Sequence, residues 1–261
     1  GHVSATHSVH RPKPSSSQGP QIFGRAIRCW TGIACYILIA VGLNGAETDL
    51  SRLPTLEISP TAAYLEDTAT VQLPAPPQGI EIRYTTDGKV PSIEGSPIYS
   101  GALKVEQSAV LRFAAFNGAK RISPILTRTL LFPRQVARQG FTPKGYPNGD
   151  SAWQGEPSHY GMDPRIVDDP RYRDRIGGSL VSLPAVSIVM APADLFGRRG
   201  LYLHTHGRGD AWERPASVEW IETNGVRRFQ VDCGIRIQGN TGRRADKTPK
   251  HSFRLLFKKQ Y

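Results

Sequence analysis

The residues best placed for chemistry in this chain are cations. Arg236 sits in a strand-like run, and Gly239-Asn240-Thr241-Gly242 follows it, with Arg243 and Arg244 directly behind. Lys250 then precedes a second strand-like run. Positive groups gathered around a glycine-bearing loop suit an anion such as phosphate. Two plainer uses compete. The Gly239–Gly242 stretch also fits a hairpin turn, and Arg236 and Arg254 also fit pairing with Glu213, Glu219 or Asp232 across a sheet.

A second candidate pair is Tyr84 and Asp87. A tyrosine ring can stack on a sugar, and a carboxylate can accept from its hydroxyls. The alternative is core packing for Tyr84 and a turn role for Asp87, which precedes Gly88. No pair of carboxylates around them has the context of glycosidase acid–base work. No catalytic residue is assigned anywhere in the chain. No metal site is expected either: His204 and His206 lie in a Gly- and Arg-rich loop, and His2, His7 and His10 are irregularly spaced with no acid nearby.

The elements that must position these residues read as mainly β. With 26 Gly and 21 Pro in 261 residues, turns recur too often for long helices. Short alternating runs, such as Ile80/Ile82/Tyr84 and Val110/Arg112/Ala114, fill residues 54–132 and indicate a small β-sandwich. Residues 133–178 read as a Gly- and Pro-rich connector with short helices. Its aromatic residues Phe141, Tyr146, Trp153 and Tyr160 are suited to pinning it to a neighbour. Asp163-Pro164 and Asp169-Pro170 each have the form of a helix start.

Residues 179–261 read as a truncated, β-rich α+β domain. Leu183–Met190 reads as a buried strand, followed by a helical turn at Ala193–Gly197. Further strands follow at Pro215–Thr223, Arg228–Cys233, Ile235–Gln238 and Ser252–Phe257. The alternating run still continues at Tyr261, so the domain is expected to extend further.

The formal charge of +11 is unevenly distributed. Residues 1–46 hold four basic residues and no acids, residues 47–132 are nearly balanced, and residues 133–261 carry a net +8. No nucleic-acid recognition motif accompanies that charge, and no nucleic-acid partner is expected.

Residues 1–24 are polar and read as a disordered leader. Residues 25–46 have the form of a secretory signal or N-terminal anchor. Arg25 and Arg28 precede the apolar run Cys29–Leu43, and small residues follow at Gly45 and Ala46. The run is shorter than a spanning helix usually needs. The expected location is therefore secreted, periplasmic or on the cell surface, with membrane contact only through this segment. Cys29 and Cys35 lie within it, so its removal leaves Cys233 with no partner for an internal disulfide.

Two resemblances sharpen this outline. The stretch Ile82-Arg83-Tyr84-Thr85-Thr86-Asp87-Gly88-Lys89-Val90-Pro91, with Tyr99, Gly101 and Leu111-Arg112-Phe113-Ala114, resembles the β-sandwich domain at the C-terminal end of chitobiases and β-hexosaminidases. Phe113 departs from the small residue common there. The resemblance implies an accessory module rather than a catalyst.

Residues 133–261 resemble the front part of the spore coat protein H (CotH) kinase-like family. The motifs are Leu183–Met190, Trp212-Glu213-Arg214-Pro215, Cys233–Arg243 and Pro249–Phe257, in that order. That family is similar to atypical protein kinases. The resemblance implies ATP and Mg²⁺ for the intact parent, no cofactor in this stretch alone, and phosphate contacts at Arg236, Arg243, Arg244 and Lys250. His251 stands where the family often has a second lysine. The metal-binding acids would lie after Tyr261, so the chain by itself is expected to be inactive, and whether the parent is an enzyme is left open. The partner is expected to be a protein substrate or a cell-surface polysaccharide. The rival reading is a cell-surface or carbohydrate-binding structural protein without catalysis.

Overall fold

Frequent turns cut residues 56–132 into short strands. In the computed structural model, which describes residues 56–139, 146–149, 157, 158, 160–248 and 250–258, these strands form two facing sheets. Strands β1 (Ala69–Val71) and β3 (Leu103–Val105) pair antiparallel as a two-stranded sheet. Opposite them stands β4 (Ala109–Asn117). It pairs with β2 (Ile80–Thr85) on one side and with β5 (Lys120–Arg121) and β6 (Leu126–Leu130) on the other.

Between the sheets lies an apolar core of Val71, Ile82, Leu111, Phe113, Leu130 and Phe132. Tyr99 closes it, its ring edge-on to Phe113 and its hydroxyl accepting from the Leu73 N–H at 2.9 Å. β4 is buried along almost its whole length, on both faces. That pattern marks a strand in the middle of a stack of layers rather than at a surface.

The layer beyond β4 is the second of the larger sheets, called the second sheet below. It is an antiparallel run of β7 (Ala185–Val189), β8 (Arg214–Ile221), β9 (Arg227–Gln238) and β10 (Ser252–Leu256), in the spatial order β10-β9-β8-β7. Short helices make up the approach: α1 (Pro133–Val136), α2 (Pro164–Val167), α3 (Ile176–Leu180) and, after β7, α4 (Pro192–Phe196). Asp163 caps α2 by accepting from the Arg165 N–H at 2.9 Å, with Pro164 in the first turn. Residues 170–175 form turns before α3 rather than a helix running from Pro170. The connector is pinned as its aromatic residues suggest: Tyr146 packs on Tyr160 and on Phe196.

The chain is thus mainly β, and no helix among the described residues is long and apolar enough to cross a membrane. The leader, the apolar run Cys29–Leu43 and the connector residues Phe141 and Trp153 lie outside the described residues.

Three details differ from the sequence expectation. Arg228–Cys233 and Ile235–Gln238 are one unbroken strand, since Gly234 stays in register opposite Pro215 and Leu256. Leu183–Met190 yields an edge strand, not a buried one: Val186 is 50% exposed and Ile188 38%. The Gly239–Gly242 stretch is not a tight hairpin, because the β9–β10 connection runs from 239 to 251 and contains a 3₁₀ turn at Thr241–Arg243.

Candidate functional site

Tyr84 and Asp87 stand at and just after the end of β2. The Tyr84 ring is half-buried and stacks on Phe113 at a centroid distance of 6.0 Å. Asp87 accepts from the Lys89 N–H at 3.1 Å and forms an ion pair with its ammonium group. Partial burial opposes ionisation of that carboxyl. The hydrogen bonds and charge of Lys89 outweigh burial and hold it below the usual carboxylate range.

The turn they belong to faces the second sheet. Gly88 has φ +80° and lies so close to that sheet that a Cβ there would stand 2.5 Å from the Met190 carbonyl oxygen. Glycine is needed twice over here, for the backbone angle and for the approach.

Around that turn, the outer face of β4 and β6 meets β8 and β9 through polar groups. Arg112, 3% exposed, donates to the Gly88 carbonyl at 2.9 Å and to Ser217 Oγ at 3.0 Å. Thr127 Oγ1 donates to the same Ser217 oxygen at 3.0 Å, and Ser217 in turn donates to Asp232. One residue pair along, Glu219 is fully buried between two layers. It accepts from the Thr129 N–H at 2.7 Å and from Arg227 Nε at 2.9 Å. Arg227 reaches back to the carbonyls of Thr61 and Thr129. Gln230 holds both ends of another clasp, accepting from the Thr127 N–H at 3.0 Å and donating to the Ile125 carbonyl at 3.0 Å.

Burial pushes the pKa of Arg112 and Arg227 down, against the pull of Asp232 and Glu219. Such a network is costly to desolvate and costly to break. Its merit is that it accepts only one docking geometry.

The four cations singled out from the sequence do not all converge: Arg236 and Arg243 line one cavity, and Arg244 and Lys250 are not part of its lining. Arg236 points to acids. It hydrogen-bonds Glu213 through Nε at 2.8 Å and pairs with Asp210, while Lys258 shares Glu213 at 2.8 Å. The hydrogen bond to Glu213 raises the Arg236 pKa against partial desolvation, with Asp210 adding to the effect. Of the two uses open to Arg236, pairing with Glu213 is the one observed.

Arg243 is buried and acts as a bracket. It donates to the carbonyls of Gly239 (2.7 Å), Gly207 (2.9 Å), Thr205 and Ile237. Arg244 faces solvent and pairs with Asp246 at 2.7 Å. Lys250 is exposed, its carbonyl accepting from Thr248 at 2.9 Å. His251 ties the start of β10 to this turn, its Nδ1 lying 2.7 Å from the Gly242 carbonyl. His204 pairs with the Arg198 carbonyl at 2.8 Å and packs on Trp212.

A cavity of about 180 Å³ opens beside the Arg243 bracket, between the Gly207–Gly209 loop and the sheet. Arg208, Arg236, Arg243 and Arg254 all line it. The loop is held by close packing as well as by Arg243: a Cβ on Gly207 would stand 2.4 Å from the Trp212 ring. Sequence reasoning had Arg254 only as a pairing candidate and did not single out Arg208. It also missed Arg112, Thr127, Ser217 and Gln230. A buried polar side chain on a strand looks no different in sequence from one facing water.

Residues 60–127 match the family model of the chitobiase/beta-hexosaminidase C-terminal domain. The match takes in β1 to β5, runs into β6, and includes Tyr84, Asp87 and Arg112. No curated protein and no solved structure matches the chain.

Proposed function

We propose that residues 56–132 are an accessory module fixed rigidly onto the sheet of a CotH-like domain in an exported modular protein. The observation that carries this reading is the buried polar interface. Arg112, Thr127, Ser217, Glu219 and Gln230 are completed only when module and sheet are together. The family match to residues 60–127 supports the accessory role. The ordered motifs from Leu183 to Phe257 support the CotH-like part.

On this reading the parent protein is secreted, periplasmic or on the cell surface, carried there by the segment 25–46. ATP and Mg²⁺ serve the intact parent. The partner is a protein substrate or a surface polysaccharide. The module's part is to brace the sheet.

A protease site inserted within residues 140–145 tests the docking. After cleavage the two pieces should still co-elute at low protein concentration, and separation into two species would overturn the reading. Fusion of residues 1–53 to an export-dependent reporter tests the location, with a cytoplasmic reporter as the contrary result.

A further inference from the structure

The acids near the basic cavity account for only part of its charge. Asp210 and Glu213 balance Arg236 and Lys258. Among the described residues, Arg243 is bound only to neutral carbonyls, and Arg208 bonds only the Asn240 amide oxygen, at 3.2 Å. Among the described residues, the Arg254 side chain has neither an ion-pair nor a hydrogen-bond partner, while its backbone pairs opposite Arg236 in β9. Three guanidinium groups with no carboxylate partner among the described residues therefore line one cavity. They also affect one another: desolvation lowers the Arg243 pKa, and repulsion from Arg208 lowers it further. An arrangement that holds like charges together at a cost, on a braced loop and a regular strand, is preorganised for a ligand of opposite charge.

We propose that this cavity is an oxyanion site for a phosphate or sulfate group, contacted directly by Arg208 and Arg254. Arg243 is its positioning residue. It fixes the carbonyls of Gly207 and Gly239 on opposite walls and adds charge from behind. The tetrahedral oxygens of such a group suit two guanidinium forks converging from a loop and a strand. Arg236 stands back, occupied by Glu213. Arg244 and Lys250 take no part. The site itself rests on this geometry. Only the assignment of its anion to a nucleotide rests on the kinase-like reading.

The test is calorimetric titration of the whole chain with pyrophosphate, sulfate and ATP at low ionic strength. Pyrophosphate should bind saturably. Arg208→Ala and Arg254→Ala should each weaken it by at least about tenfold. Arg254→Lys should lose less, and Arg244→Ala should change nothing. Arg208 and Arg254 are exposed, so unchanged melting curves will show that the variants fold. ATP binding well above pyrophosphate would identify a nucleotide. Equal binding would support the site and sink its nucleotide assignment. No saturable binding, or binding that survives the double variant Arg208→Ala/Arg254→Ala, would overturn the proposal.

Discussion

The two faces of the second sheet invert the usual rule. One face carries Ser217, Glu219, Gln230 and Asp232, and it is covered by the module. The other face is apolar, and only half of it is covered. Ala216, Cys233, Ile235 and Ile237 pack there with Leu201, whereas Val186, Ile188, Phe229 and Val231 are between 36% and 50% exposed. Register places these exposed residues side by side: Ile188 and Val231 both stand opposite Val218, and Val186 and Phe229 both stand opposite Trp220.

The contrast separates adhesion from address. Apolar contact favours any burial. A buried Arg–Ser–Asp chain is satisfied in one register alone.

That comparison can be broken most severely at Glu219. Glu219→Ala leaves Arg227 without its partner between two layers and should cost about 3–5 kcal/mol in urea unfolding. Arg112→Ala strips donors from Gly88 and Ser217, and a loss of about 2–3 kcal/mol is expected by the same measurement. Gly88→Ala forces a side chain into a positive-φ position against Met190, so its melting curve should report a loss of about 1–3 kcal/mol. On the open apolar half, Val186→Thr should change stability by no more than about 0.5 kcal/mol. A large loss there with little loss at Glu219 would reverse the roles given to the two faces.

Most of the architecture was legible in the sequence, and the reason is periodicity. Alternation along β2 and β4, and the Asp87-Gly88 turn, located the sandwich. The runs at Pro215–Thr223 and Ser252–Phe257 located β8 and β10. The apolar run of β7 reads as buried because composition does not report a sheet's edge. Gly234 suggested a break in β9, yet glycine in extended backbone interrupts nothing by itself.

The interface was not legible. Local alternation does not mark Thr127, Ser217 or Glu219 as buried, and their partners across the interface lie 90 or more residues away. Nor does charge counting distinguish Arg243, held by carbonyls, from Arg254, which lines the cavity unpaired. That difference is made by the folded loop at 205–209, whose Thr205 and Gly207 carbonyls take Arg243.

The central claim is that module and sheet form one cooperative unit through the buried polar interface. Hydrogen exchange resolved by peptide, on the whole chain and on Glu219→Ala, tests it most directly. Strands β4 and β6 should lose protection together with β8 and β9 and by a comparable factor. Full protection retained in β4 and β6 while β8 and β9 open would contradict the claim and leave the module an independent neighbour.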